Sequence, residues 1–152
     1  MDIEILSRSK TLPEMLKNTA MFYAKELRIL DSNYKVFICT DPNLRKDGSN
    51  GLCAKTGDRE ITVALYSRLS IVKMLSTLAH EMVHVKQMVR GHYRNEPMKY
   101  GKGVHHYWLG KRVKAEYIKR PWELEAFRKE LVLLESLGEH ITKKMKNKTK
   151  KS

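Results

Sequence analysis

The sequence predicts an α+β fold with three main helices packed on a small sheet, and two patterns carry that expectation. Apolar residues recur at helical spacing in three long segments. Between the first two of these, short runs rich in branched and aromatic side chains are separated by turn residues. The order is helix, strands, helix, irregular region, helix, which suits helices backing a sheet. With 152 residues, 41% of them apolar and 31% charged, the chain can build one core but not two.

Residues 12–30 (LPEMLKNTAMFYAKELRIL) read as the first helix. Thr11 is its N-cap candidate, Pro13 suits the first turn, and Leu16, Ala20, Tyr23, Leu27 and Leu30 form an apolar stripe. Residues 34–40 (YKVFICT) have strand composition, followed by the loop-like KDGSNGLCAKTGD with one short strand at 52–55. Residues 59–66 (REITVALY) predict another strand. The strongest helix runs from Ser70 to Arg90. Ser70 caps it, Ile71, Leu75, Leu78, Met82 and Val85 give its apolar stripe, and Gly91 ends it. Beyond Gly91 a Gly-, Tyr- and His-rich region continues to Lys119, within which GVHHYWLG and KRVKAEYI read as a hairpin. Pro121 opens the last helix, PWELEAFRKELVLLESLG, expected to stop near Gly138. Residues 1–140 then form one domain, and 141–152 a basic, disordered tail.

The formal net charge is +13, and the six Lys of residues 141–152 leave +7 on the domain itself. Such an excess makes nucleic acid a candidate partner through the Lys/Arg surface and the tail. No apolar run reaches the roughly 20 residues that span a bilayer, so no membrane partner is expected. The N-terminal MDIEILSRSK lacks the apolar core of a secretory signal, which predicts a cytoplasmic protein. Cys39 and Cys53 are the only cysteines, too few and too far apart for a Cys-based metal site. Cys39, in an apolar strand, is expected to be a buried free thiol.

The chemistry concentrates in His80-Glu81-Met82-Val83-His84. Two histidines four apart on a helix share one face, so both imidazoles reach a single ion, and zinc suits them. Glu81, beside the first ligand, is placed to take the proton of the attacking water as general base. A catalytic zinc takes a third protein ligand. The extended metzincin motif needs Gly at 87 and His at 90, where the chain has Gln87 and Arg90. Candidates are His92, His105, His106, Glu123 and Glu125. Glu123 is preferred because it lies in the first turn of the last helix, three residues before Ala126, whose small side chain lets two helices approach. Glu125 lies about 200° around that helix, so only one of the two acids is expected to face inward. At most one of His105 and His106 can face the ion, because strand neighbours point to opposite faces. His140, beside the tail, is not expected to contribute. Tyr107 is one candidate among the tyrosines for stabilising an oxyanion.

LAHEMVHVKQ, the following Trp/Tyr-rich region and RPWELEAF together resemble the SprT-like zinc metallopeptidase domains, particularly small phage-type versions. The resemblance covers roughly residues 35–135. It implies a minimal zincin fold with the metal-binding helix central, His80 and His84 as ligands and Glu81 as catalytic acid/base. SprT-like and Spartan proteins are expected to take the third ligand from a downstream His, whereas the Glu-x-x-Ala arrangement here is similar to gluzincin-like and ImmA-type peptidases. The Spartan branch implies proteolysis of DNA-associated proteins.

The expected function is zinc-dependent hydrolysis of peptide bonds in a protein or peptide substrate. Residues 59–66 are the expected edge strand for that substrate. The alternative is a basic nucleic-acid-binding module with a structural or vestigial zinc site, against which Glu81 speaks, since a structural site has no use for that carboxylate. A metal-dependent hydrolase of a non-peptide bond is a third reading.

Overall fold

The structure, a computed structural model, describes residues 1–7, 12–47, 49–116 and 119–150. Strands β1 (Asp2–Leu6), β2 (Lys35–Asp41), β3 (Gly51–Gly57) and β4 (Glu60–Tyr66) form a sheet in the order β1-β2-β4-β3. The first three members of that order are parallel, and β3 is antiparallel to β4. The register aligns Ile3, Val36 and Ile61 in one row and Ile5, Ile38 and Val63 in the next. With Leu65, these rows make the face on which helices α1 (Leu12–Glu26) and α2 (Ile71–Val89) pack. The opposite face is only half-covered, which is why Cys39 is half-buried rather than enclosed: it alternates with Ile38. Helix α3 (Pro121–Lys150) lies against α2 and α1. A second sheet, antiparallel β5 (Tyr93–Pro97), β6 (Val104–Trp108) and β7 (Lys111–Val113), follows α2. Over the described residues the architecture is therefore α+β with three α-helices, on two small sheets rather than one. No described helix is long and apolar enough to cross a membrane.

Helix α1 stops at Glu26, four residues short of expectation, although no glycine marks the end. Arg28 takes the left-handed conformation itself (φ 59°), with Arg28 N–H bonded to Lys25 O and Ile29 N–H to Ala24 O. These two bonds are the Schellman pattern that glycine usually supports. The N-cap candidate Thr11 lies outside the described residues. Helix α2 ends by the same pattern at Gly91 (φ 69°), where Gly91 N–H reaches Met88 O and His92 N–H reaches Gln87 O. Its start is capped by the Ser70 hydroxyl, which accepts from Lys73 N–H. Residues 78–87 are buried all round, while Ile71, assigned to the apolar stripe from its spacing, is 60% exposed.

Two further expectations are corrected. Strand β4 is interior, and β3 is the edge strand on its side of the sheet, with β1 at the other edge. Gly138 does not end α3: the helix continues to Lys150, so the basic segment through Lys150 is helical rather than disordered. One exposed glycine costs a long helix only about 1 kcal/mol, too little to stop it. The expected hairpin is β6–β7, and the strand before it, β5, extends it into a sheet; Tyr117 and Ile118 of KRVKAEYI lie outside the described residues. At its turn Leu109 (φ 51°) and Gly110 (φ 84°) both have left-handed backbones, a conformation for which Asn-Gly is the favoured pair. Leu109 is 62% exposed, so its side chain contributes little packing in return. Leu109→Asn is expected to raise stability by about 1 kcal/mol, read as an increase in melting temperature.

Candidate metal centre

One helical turn separates His80 from His84 on α2, and their rings stand 4.9 Å apart at 79°. Packing of α3 on α2 brings the carboxylate of Glu123 between them. Its Oε1 lies 2.8 Å from His84 Nε2 and its Oε2 lies 3.1 Å from His80 Nε2. All three side chains are buried, and they form a group that can hold a metal ion. Among the described residues no other set of His, Cys, Asp and Glu side chains converges in this way.

The hydrogen bonds around the group favour a cation at its centre. His80 Nδ1 lies 3.1 Å from Glu130 Oε2, and His84 Nδ1 lies 2.8 Å from Gln87 Oε1. Gln87 is oriented by its amide nitrogen, which donates to Trp122 O (2.9 Å) and Glu125 Oε1 (3.1 Å), so its oxygen must face His84. A neutral imidazole has one N–H. With both Nδ1 atoms donating, both Nε2 lone pairs face an acceptor carboxylate, and only protons or a metal ion relieve that opposition. The donor set, two imidazoles and one carboxylate with their outer nitrogens fixed, fits a divalent metal.

Without metal, protons fill the role. Burial, the largest single influence, lowers the pKa values of His80 and His84, but the hydrogen bonds to Glu123 and the nearby acidic charges outweigh it, and both are raised from 6.5. For Glu123 burial pushes upward, yet hydrogen bonds from both histidines and their charges bring the carboxyl down to about 2. The carboxyl of Glu81, also buried, is raised by desolvation against the opposing pull of His84 and His80.

Depressions of about 360 and 460 Å³ adjoin the centre, and Glu81 lines both. The first is walled by Phe127 and Glu130, the second by Cys53, Tyr93, His106, Arg120 and Trp122. A larger depression of about 850 Å³, at the C-terminal ends of β1 and β2, has no titratable residue in its described lining. Strand β3 runs close past Glu81: a Cβ added to Gly51 would lie 2.9 Å from Glu81 Oε1 and 2.8 Å from Thr77 Cγ2.

The candidates from the sequence separate cleanly. Glu123 joins His80 and His84. Glu125 also reaches α2, contrary to the expectation that only one acid would face inward, but it accepts from Lys86 Nζ (3.1 Å) and Gln87 away from the centre. His106 faces the second depression and its Nδ1 lies 2.7 Å from the Tyr93 hydroxyl, outside the donor group. His105 alternates to the other face of β6. His92 packs near Trp108 and His140 against Phe22. Tyr107 lies under Arg94, 4.0 Å from its guanidinium, whereas Tyr93 lines the depression beside the centre.

Sequence reasoning missed Gln87, Glu130 and Tyr93. Two of them had a signal: Gln87 follows His84 by three residues, and Glu130 follows Glu123 by seven, each on the same helical face. Tyr93 had none, because β5 (YRNEP) carries no strand pattern of its own. Gln87→Met, which keeps volume but removes the acceptor, is expected to weaken zinc binding ~10–100-fold in chelator competition.

Comparison of the chain with protein-family models, curated proteins and solved structures finds no match to any of them.

Proposed function

We propose that this chain is a zinc-dependent peptidase of the SprT-like kind, with the metal-binding helix of a minimal zincin in α2. The observation that carries the reading is the convergence of His80, His84 and Glu123 beside a buried carboxylate, Glu81, that is not itself one of the three donors. Three donors of this type are what a catalytic zinc takes, with a fourth position left for substrate or water. Bound there, zinc supplies Lewis acidity toward a carbonyl oxygen and toward water. Glu81 accepts the proton of the attacking water and delivers it to the leaving amine nitrogen, work for which its raised pKa suits it. The Tyr93 hydroxyl, held by His106, donates toward the carbonyl oxygen as it gains charge. Among the described strands none pairs with the outer side of β3, so an extended peptide can add there, next to Glu81.

The test is metal analysis of the purified chain together with cleavage of casein or histone before and after chelation. One zinc per chain and a chelator-sensitive cleavage support the reading; a chain that holds no divalent metal overturns it. A second reading, polyanion binding, draws on residues 141–150, an exposed helical segment with five Lys and no acid. A DNA mobility shift that disappears on deletion of that segment and weakens steeply with salt is its signature.

A further inference from the structure

The two depressions beside the metal centre differ in the charge they offer. The first is lined by Lys73 together with Glu130 and Glu81. The second, about 460 Å³, has Arg120 as the only Lys or Arg in its described lining. Arg120 immediately precedes α3, and its carbonyl accepts from the N–H groups of Glu123 and Leu124, so the helix start fixes its backbone. Its side chain is held as well. Nε donates to Ala115 O (3.2 Å), and the guanidinium carbon stands 5.7 Å from the centre of the Trp122 ring. Trp122 is itself buried, with the Tyr93 ring centre at 4.8 Å and that of His106 at 5.2 Å. The guanidinium is thus set against an aromatic wall, in a recess shared with Glu81 and His84. Its charge reaches across that recess: burial first, and then Arg120, hold His106 below its ordinary pKa of 6.5.

We propose that this recess is a subsite for a carboxylate of the substrate, and that Arg120 is the residue that selects it. That the carboxylate belongs to a substrate rests on the peptidase reading; its recognition by Arg120 does not. A guanidinium presents a planar fork that matches a carboxylate, and a surrounding aromatic wall strengthens the pairing by excluding water. Glu81 and Glu123 do not forbid an acid there. Glu123 faces His80 and His84, and a divalent ion together with Arg120 outweighs the two carboxylates. A peptide added along the outer side of β3 passes Cys53, which lines the same recess, so a residue adjoining the scissile bond presents its carboxylate to Arg120. Side chains of an extended peptide alternate in direction, so one such position enters and its neighbours do not. The carboxylate has two sources: the side chain of an internal Asp or Glu, or the C-terminal carboxylate of a chain cut near its end.

The experiment is calorimetric titration of the Glu81→Gln chain in the presence of zinc, so that binding is read apart from hydrolysis. The probes are acetylated, amidated alanine peptides with one central Glu or Gln, and an acetylated alanine peptide ending in a free acid or an amide. The Glu peptide or the free-acid peptide is expected to bind about 10-fold tighter than its neutral partner, and the arm that shows the difference names the source. Adding Arg120→Gln should abolish the difference, Arg120→Lys should keep part of it, and Arg120→Glu should turn the preference toward a central Lys. Circular dichroism verifies that each variant folds. Equal binding within both pairs, or a preference that survives Arg120→Gln, overturns the proposal. Cleavage of the same peptides by the wild type separates the subsite from the peptidase reading. Preferential binding without cleavage keeps the subsite and removes the peptidase, whereas cleavage indifferent to the acid removes the subsite alone.

Discussion

Glu81→Gln is expected to reduce peptide hydrolysis ~10²–10⁴-fold, the usual contribution of a positioned general base. Metal content and melting temperature should stay close to wild type. Glutamine fills the same volume on the buried face of α2, so neither the packing nor the three donors His80, His84 and Glu123 are disturbed. What disappears is the ability to take up a proton. Gly51→Ala should mimic the kinetic loss by another route, because a methyl group there would press on Glu81 Oε1 and Thr77 Cγ2. The Glu81 carboxylate or the β3 backbone must then shift by several tenths of an ångström, and general-base catalysis does not survive misplacement of that size well. The comparison is made on steady-state rates with zinc occupancy measured on the same samples. A Glu81→Gln chain that keeps its zinc and cleaves at the wild-type rate removes Glu81 from the reaction.

The centre was legible in the sequence where local geometry dictates it. Helical periodicity alone places His80 and His84 together, and a small residue after an acid in a Pro-opened helix singles out Glu123. The same reasoning located α1, α2, β2 and β4 to within a few residues. It failed where tertiary context overrides local signals. Arg28 adopts a left-handed backbone without being glycine, so the end of α1 carried no mark. Gly138 carried the mark of a stop but lies within a helix. Strand order cannot be read from strand composition. Strand β4 is apolar enough to look like an important edge, yet it is interior because β2 and β3 both pair with it, and the poorly patterned β3 is the strand that borders Glu81. Strand β5 forms because β6 offers it a partner, and it carries Tyr93 into the cleft by that non-local route. The residues that orient the ligands are a mixed case, with Gln87 and Glu130 readable by helical spacing only once the inward faces of α2 and α3 are known.

Zinc should raise the melting temperature strongly near pH 8 and barely near pH 5, because metal and protons compete for the same nitrogens. In the metal-free chain His80 and His84 have pKa values raised above 6.5, so the stability they add is full below 6.5 and lost as pH rises through their folded values. Glu123 is depressed from 4.5 to about 2, so its contribution is present above 4.5 and lost as pH falls through about 2. The metal-free chain is thus best held between 4.5 and 6.5, where the imidazoliums and the carboxylate coexist. As pH rises through those raised values the imidazoles become neutral, their lone pairs again oppose Glu123, and an ion at the centre replaces the missing protons. At free zinc a hundred times Kd the gain is about 2.7 kcal/mol, or roughly 5–10 °C for a domain of this size. Within the window and below it two protons must leave the imidazoliums for each metal bound, so affinity falls by up to ~100-fold per pH unit. Glu123→Gln should lose most of the zinc-dependent gain near pH 8, while Glu125→Gln, which removes only a partner of Lys86 and Gln87, should keep most of it. A gain that is the same at both pH values, or one that survives Glu123→Gln and is lost in Glu125→Gln, would contradict the assignment of the third ligand.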